Sequence, residues 1–374
     1  DQVYMTASQL MTGMGGWPLN VITLPDGSPI YAGTYHTTSQ WDDILKRIIR
    51  LKRDNYDGLK EIASNVKEGV TDINTIKKQE EVSIFDSEYL NENLNSWRER
   101  WDLTNGGDIA QQKFVSPSKY IFLLNYGRLY KDKSVLDHTE KTLDIIASSG
   151  LNDFVEGGFY RYTVEDEWKV PHFEKMLYDQ AQMISLYSKA FKIFQKESYK
   201  DVVDKTITFL KSNLSSGDNL FFAAMDADTD GEEGKYYSFK KDELEEISKN
   251  TDFDLFTSYF NIELDNPWED DKYLLLPNEY SLEDDWLKSN NISIKELKDL
   301  KKEWIERILE IKSERTKPRI DDKIIVSWNS LVIIGLIDAY EAFRNEEFLD
   351  IAISMFDELE KKSFRKNKLI HTYK

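Results

Sequence analysis

The feature that most constrains this chain is a succession of helix-periodic apolar segments that fills most of its length after residue 85. In the segment 172–195, apolar residues recur at steps of three and four, which places them on one face of an α-helix. Helices paired by short loops predict an array of α-hairpins, which can be a bundle, a solenoid or a closed toroid. No fixed period of about 34 or 40 residues appears, which counts against a repeat solenoid. The predicted helices are 86–101, 116–131, 133–149, 172–195, 198–213, 241–249, 293–316, 322–344 and 346–362.

Residues 1–70 follow a different pattern. The stretch 3–11 predicts a helix, 17–24 and 29–35 predict two strands separated by a Pro-Asp-Gly turn, and 41–66 predicts one amphipathic helix. A helix, a hairpin and a helix bury too little apolar surface to stand alone. We therefore expect this region to be the second half of a domain whose first strands precede the chain.

Charge and cysteine content exclude several classes of function. The 374 residues include 49 Lys+Arg against 68 Asp+Glu, a formal net charge of −19, and no cysteine. Such a surface repels phosphate backbones and anionic bilayers, so neither a nucleic acid nor a membrane is an expected partner. Without cysteine, the chain itself has no disulfides, Cys-based metal sites or thiol catalysis. We expect a cytoplasmic protein.

The segment 170–179 brings a histidine close to charged residues. On a helix of about 100° per residue, His172, Lys175 and Asp179 fall within roughly 60° of one another, whereas Glu174 points elsewhere. Imidazole titrates near neutrality, so a histidine beside a carboxylate and an ammonium is a candidate general acid/base. The alternative is a solvated helix face with an ordinary Lys–Asp pair four residues apart.

An acidic segment, 225–235, contains Asp226, Asp228 and Glu233. It resembles the start of a calcium loop, but the twelfth position, which requires a bidentate Glu, is Tyr237, and no flanking helices are predicted. Paired carboxylates could instead supply the acid and base of a sugar-active site. From the residues alone, an acidic turn between two strands is favoured over both.

Two further segments have structural explanations beside functional ones. Asp321 or Asp322 would cap the helix that follows, and Trp328 and Asn329, farther along it, could face a cavity. Pro18 follows a glycine turn and is a candidate structural cis-proline.

Taken in order, several segments resemble the family of spermatogenesis-associated protein 20. They are Gly-Gly-Trp-Pro-Leu-Asn-Val at 15–21, Gly-Gly-Phe-Tyr-Arg-Tyr at 157–162, Val-Pro-His-Phe-Glu-Lys-Met-Leu-Tyr-Asp at 170–179, Asp-Ala-Asp with Gly-Glu-Glu-Gly-Lys-Tyr at 226–236, and Asp-Asp-Lys-Ile with Ser-Trp-Asn at 321–329. The resemblance implies a thioredoxin-like module fused to an α/α toroid similar to six-hairpin glycosidases and N-acylglucosamine epimerases.

The layout of that family implies a protein nearly twice as long as this chain. A Cys-x-x-Cys segment would lie upstream and closing hairpins downstream, so the toroid here would be incomplete. The expected divisions are 1–70 as a partial thioredoxin-like domain, 71–84 as a linker and 85–374 as the toroid, with a mainly α fold overall.

The toroid relationship implies a carbohydrate-active or carbohydrate-binding cleft with a small sugar as ligand and with neither metal nor cofactor. His172 would be the acid/base, Asp179 or Glu174 its orienting group, and Asp226 or Asp228 a second acid/base or a ligand of a sugar hydroxyl. The expected substrate-binding residues are Arg161, Glu174, Lys175, Glu233, Asp322, Lys323, Trp328 and Asn329. The alternatives are a redox or protein-interaction protein in which the toroid is a scaffold, and a helical domain that binds a peptide without catalysis.

Overall fold

The computed structural model describes residues 2–75, 87–277, 283–365 and 368–373, so most of the predicted linker lies outside the described residues. Its α-helices are α1 (Gln2–Thr12), α2 (Thr38–Asp54), α3 (Tyr56–Asn74), α4 (Ser87–Arg98), α5 (Pro117–Tyr130), α6 (Lys133–Ser148), α7 (Leu177–Phe194), α8 (Glu197–Phe209), α9 (Lys241–Ile247), α10 (Phe253–Tyr259), α11 (Glu283–Asn290), α12 (Ile294–Ser313), α13 (Val326–Phe343) and α14 (Glu346–Ser363). A π-helix, Leu210–Leu214, follows α8.

The strands are short. They are β1 (Asn20–Thr23), β2 (Pro29–Gly33), β3 (Tyr162–Thr163), β4 (Pro171–His172), β5 (Lys175–Met176), β6 (Ala224–Met225), β7 (Asp228–Thr229), β8 (Glu232–Glu233), β9 (Phe239–Lys240), β10 (Lys272–Tyr273), β11 (Ile320–Asp321), β12 (Ile324–Ile325), β13 (Phe364–Arg365), β14 (Lys368–Leu369) and β15 (Thr372–Tyr373). The prediction of a mainly helical protein is confirmed. No helix in the described part of the chain is both long and apolar enough to cross a bilayer.

The chain divides into two compact units, Asp1–Tyr89 and Leu90–Lys374. In the first, β1 and β2 form an antiparallel hairpin against which α1 and α3 pack. Small residues allow this close packing, because Ala7 and Ala32 are fully buried in one of its cores. The Trp17–Pro18 peptide bond, just before β1, is cis.

Three α-hairpins form the body of the second unit: α5–α6, α7–α8 and α13–α14. Each turns on a two-residue loop whose first residue has left-handed backbone, Lys131, Gln195 or Arg344. A left-handed residue ends a helix because its N–H closes the last turn while the chain changes direction. The first helices of the hairpins pack together, with α7 between α5 and α13, and each second helix packs on its own first helix.

An insertion between α8 and α13 explains why no regular period appears in the sequence. It contains α9 to α12 and has its own core around Phe256, Tyr259 and Trp304. The three-stranded sheet β5–β6–β11 ties this region to the hairpins, since β6 lies between β5 and β11 with Lys175 opposite Met225 and Met225 opposite Ile320. The segments that precede α7 and α13 therefore lie on either side of β6 in one sheet.

Several predicted boundaries are wrong. The predicted helix 172–195 begins at Leu177, because the residues before it form the paired strands β4, Pro171–His172, and β5, Lys175–Met176. The helix predicted at 322 begins at Val326, after a strand, so neither Asp321 nor Asp322 caps it.

Other helices were predicted as one piece or not at all. The segment 41–66 belongs to two helices, α2 and α3, because Asn55 ends the first and its side chain accepts a hydrogen bond from Gly58 N at the start of the second. Helices α10 and α11 were not predicted, since seven or eight residues give too few turns for a periodic signal.

Candidate functional site

An alternating extended segment positions the central residues of the site. From Pro171 to Tyr178, every second residue, including Phe173 and Lys175, is buried, and the residues between them, including His172 and Glu174, are half-exposed. Successive side chains of an extended chain point to opposite sides, which produces this pattern. His172 and Glu174 therefore share the outward side, and the helical face predicted for His172, Lys175 and Asp179 is wrong.

Two carboxylates flank the imidazole of His172. Its Nδ1 lies 2.6 Å from Glu233 Oε1, and its Nε2 lies 3.7 Å from Glu174 Oε2. The same Glu174 oxygen accepts a hydrogen bond of 2.9 Å from Arg161. Glu233 belongs to the acidic turn, which thus reaches His172 from 61 residues along the chain. The carboxylates nearest to His172 are therefore Glu174 and Glu233, whereas no hydrogen bond joins Asp179 to His172.

The charge distribution around His172 favours its protonated form. Glu174 and then Glu233 raise its pKa above the ordinary histidine value, against the opposing effect of burial. Glu174 contributes more although Glu233 is nearer, because the Glu174 side chain is 25% exposed and that of Glu233 is 47% exposed, so water screens Glu233 more. In return, His172 and Arg161 lower the pKa of Glu174.

Asp179 contributes a carboxyl of opposite character in the first turn of α7. Its Oδ2 is enclosed and has no hydrogen-bond partner. Burial raises the pKa of Asp179 to about 8; the charge of Arg161 lowers it and that of Glu174 raises it. At pH 7 this carboxyl is mainly protonated and can donate a proton or a hydrogen bond, whereas Glu174 only accepts.

Arg161, His172, Glu174, Asp179 and Glu233 are called the cluster below, and aromatic rings border it on two sides. The rings of Phe114, Tyr162 and His172 form a stack across neighbouring strands, with centroid separations of 4.5 and 5.0 Å. On the other side, Trp328 meets Tyr178 edge to face at 4.9 Å. Phe114, Tyr162 and Tyr178 were not singled out in the sequence. The alternation around His172 was the signal that could have identified Tyr178.

Two predicted binding residues lie in the core instead. Lys175 is fully buried and donates to Asp153 Oδ2 at 2.7 Å and to Gly157 O at 2.9 Å. Asn329 is also fully buried, and its amide donates to Phe221 O and accepts from Phe221 N. Neither side chain reaches the surface on which His172 and Glu174 lie, so their contacts are structural.

The remaining predicted residues lie at the rim. Asp226 and Asp228 are exposed, and Asp228 stands opposite Glu233 in the β7–β8 hairpin without a direct contact to His172. Asp322 and Lys323 are exposed as well, and Lys323 pairs with Asp321 at 2.7 Å. Over the described residues, no group of three or more His, Asp or Glu side chains is arranged to hold a metal ion.

Comparison with known proteins gives matches over both units. Residues 1–71 match a thioredoxin-like family, Thioredox_DsbH, described as a protein of unknown function, DUF255. Human spermatogenesis-associated protein 20 is 30% identical over 375 residues, which cover 90% of this chain and 47% of the human protein. An uncharacterized protein of Caenorhabditis elegans is 28% identical, with 94% of this chain and 52% of the worm protein covered. The chain spans about half the length of the curated relatives it matches.

Among solved structures, a family 76 glycoside hydrolase from a bovine Bacteroides thetaiotaomicron strain matches with a TM-score of 0.43 and 11% identity, over 75% of this chain and 44% of the other. Cellobiose 2-epimerase from Bacillus thermoamylovorans matches with a TM-score of 0.34 and 13% identity, over 77% and 92% respectively. The sequence comparisons confirm the resemblance that the motifs indicated: over nearly its whole length, this chain is similar to the spermatogenesis-associated protein 20 family, with a thioredoxin-like family match at its start.

Proposed function

We propose that the chain binds an uncharged sugar at Arg161, His172, Glu174 and Asp179 and acts on it by acid/base chemistry of the epimerase or hydrolase kind. One observation carries the proposal: a loop, an extended segment and the start of a helix bring a histidine and an arginine to one carboxylate and place a second carboxyl, with an enclosed and unpartnered oxygen, close by. Groups of opposite proton affinity placed together are typical of acid/base sites.

The roles follow from the protonation states. Protonated His172 can donate a proton, and after donation it becomes a base that Glu174 and Glu233 keep oriented. Asp179 supplies a neutral donor for a sugar hydroxyl. Trp328 and Tyr178 provide apolar surface beside these groups.

The charge balance supports an uncharged substrate. The two cations of the cluster, Arg161 and His172, are matched by the two carboxylates, Glu174 and Glu233, while exposed Asp226 adds negative charge at the rim. A phosphorylated or carboxylated sugar would meet no surplus of positive charge among these groups.

The test is a panel of neutral mono- and oligosaccharides, with binding measured by calorimetry and conversion by product analysis. His172→Ala should abolish conversion, and His371→Ala, which removes an exposed imidazole in the same unit, should not. If no sugar binds or is converted and His172→Ala matches the unaltered protein in every assay, the proposal is wrong.

A second candidate, a protein-interaction function, rests on the first unit. Its cis Trp17–Pro18 bond is flanked by exposed apolar side chains, since Met14, Trp17 and Tyr35 are 64%, 67% and 77% exposed. Such a surface suits an extended peptide. Calorimetry with unstructured peptides against glycans separates the two functions, and Trp17→Ala should weaken peptide binding only.

A further inference from the structure

One arrangement of a buried lysine, called the lysine device below, occurs twice in the second unit: the ammonium bonds an aspartate and the carbonyl oxygen of the glycine four residues after that aspartate. Lys113 donates to Asp102 at 2.6 Å and to Gly106 O at 2.7 Å. Lys175 makes the corresponding bonds to Asp153, at 2.7 Å, and to the carbonyl oxygen of Gly157, at 2.9 Å. Both lysine side chains are 1% exposed.

The backbone around the two devices is also the same. In each case the other aspartate oxygen accepts hydrogen bonds from the N–H groups two and three residues later. The acceptor glycine and the glycine after it have positive φ, between 70° and 82°. Only glycine adopts such backbone without strain, so the loop leaves its carbonyl directed at the ammonium.

The second copy differs in what it connects. Lys175 follows Glu174 directly, and its acceptor, Gly157, begins the loop that ends in Arg161. Gln180, the fourth residue of α7, holds the same loop by bonding both N and O of Phe159, each at 2.7 Å. The two sides of the Arg161–Glu174 ion pair are therefore tied together beneath the surface.

Burial disfavours the charged form of both partners. It lowers the pKa of Lys175, and the carboxylates of Asp153 and Glu156 oppose this effect. Burial alone would raise the pKa of Asp153, but the ammonium groups of Lys175 and Lys312 hold it well below its ordinary value. The ring faces of Tyr160 and Phe209 lie 4.8 and 4.4 Å from the Lys175 nitrogen. The Lys175 ammonium therefore contacts a carboxylate, a carbonyl oxygen and two aromatic rings in the protein interior, and it is not available to a substrate.

We propose that Lys175 is a positioning residue of the site: its buried ammonium fixes the distance at which Glu174 meets Arg161 and His172. The role in catalysis rests on the function proposed above, whereas the positioning itself does not. Lys113 is the control, because the loop that its side chain fixes carries neither Arg161 nor Glu174. Its backbone pairs with Thr163 beside the aromatic stack on His172, and a side-chain substitution leaves those backbone bonds in place.

The experiment compares two paired neutralisations in the full chain. Lys175→Met with Asp153→Asn removes the second device, and Lys113→Met with Asp102→Asn removes the first, each without leaving a lone buried charge. The readouts are urea unfolding, the NMR titration of the His172 imidazole, assigned by its disappearance in His172→Ala, and the affinity for the best sugar of the panel.

Both paired variants should have a lower free energy of unfolding. Only loss of the Lys175 device should shift the pKa of His172 toward the ordinary histidine value. Sugar affinity should fall on the order of tenfold in that variant alone, since displacing a site group by about 1 Å has effects of this size or larger. If the paired variant does not fold, Lys175→Arg, which keeps the charge but lengthens the side chain, should produce the same shift in a folded protein.

The proposal is wrong if the pKa of His172 does not change in the Lys175 variant, or if it changes by the same amount in the Lys113 control. Because the titration needs no sugar, it decides on Lys175 even if no sugar binds. The absence of sugar binding would refute the proposed function separately.

Discussion

Replacing Asp179 by asparagine tests the most unusual electrostatic feature of the site. Asparagine has nearly the same shape but never ionises. Asp179 is half-buried with an enclosed, unpartnered Oδ2 and a pKa of about 8. In the unfolded chain the same carboxyl ionises near the ordinary aspartate pKa of 3.8. The two states of the protein therefore bind different numbers of protons over a wide range of pH.

The sign of the effect follows from proton linkage. Between pH 3.8 and 8 the folded protein holds a proton on Asp179 that the unfolded chain has lost, so stability falls as pH rises, by about 1.4 kcal/mol per pH unit. From pH 4 to pH 7 this amounts to about 4 kcal/mol. Partial contact of the carboxyl with water reduces the expected value to roughly 2–4 kcal/mol. Asp179→Asn does not bear this penalty.

Urea unfolding at several pH values measures the difference. Asp179→Asn should be more stable than the unaltered protein at pH 7 by that amount, with a gain that shrinks toward pH 4 and levels off above pH 8. Asp228→Asn, at an exposed position, controls for the introduction of an amide. A gain that does not change with pH, or a loss of stability at pH 7, would refute the assignment of a protonated Asp179.

Two further predictions concern the same segments. Glu174→Gln should lower the pKa of His172 more than Glu233→Gln does, because Glu174 is the more buried of the two carboxylates; NMR titration of the imidazole measures this, and a larger effect of Glu233 would contradict it. Asn329→Ala and Gln180→Ala should each cost about 2–4 kcal/mol, because each leaves a buried peptide N–H and C=O unpaired; denaturant unfolding tests this, and a cost below about 1 kcal/mol would show that the backbone finds other partners.

The matching roles of Gln180 and Asn329 show a repeat that the sequence conceals. Each is the fourth residue of its helix, and each bonds the backbone N and O of one phenylalanine in an earlier loop, Phe159 or Phe221. The two side chains differ by a methylene. Gln180 lies 21 residues from its partner and Asn329 lies 108 residues from its own, so the sequence contains no constant spacing to detect. What repeats is the set of hydrogen bonds, not the residue types or their spacing.

Sequence reasoning located the segments of the candidate site but not the roles within them. It selected His172, Glu174, Arg161 and Glu233 as members, and these are in contact. It placed Lys175 beside His172 and Asp179 on a polar helix face because the periodic pattern predicted one helix from residue 172, whereas Lys175 lies in a strand and is buried. A buried lysine requires charged or polar partners, and its partner here, Asp153, is 22 residues away in the sequence. A local pattern of polar and apolar residues does not reveal such a distant partner.

By itself the sequence determined where the hairpin helices lie, because apolar periodicity and helix ends are local properties that neighbouring residues impose on one another. Only the tertiary structure decided that residues 171–176 are extended, that Glu233 reaches His172 across 61 residues, and that burial leaves Asp179 protonated. The reason is physical: strand pairing and desolvation depend on groups supplied by remote segments, and their energies exist only once the chain has folded.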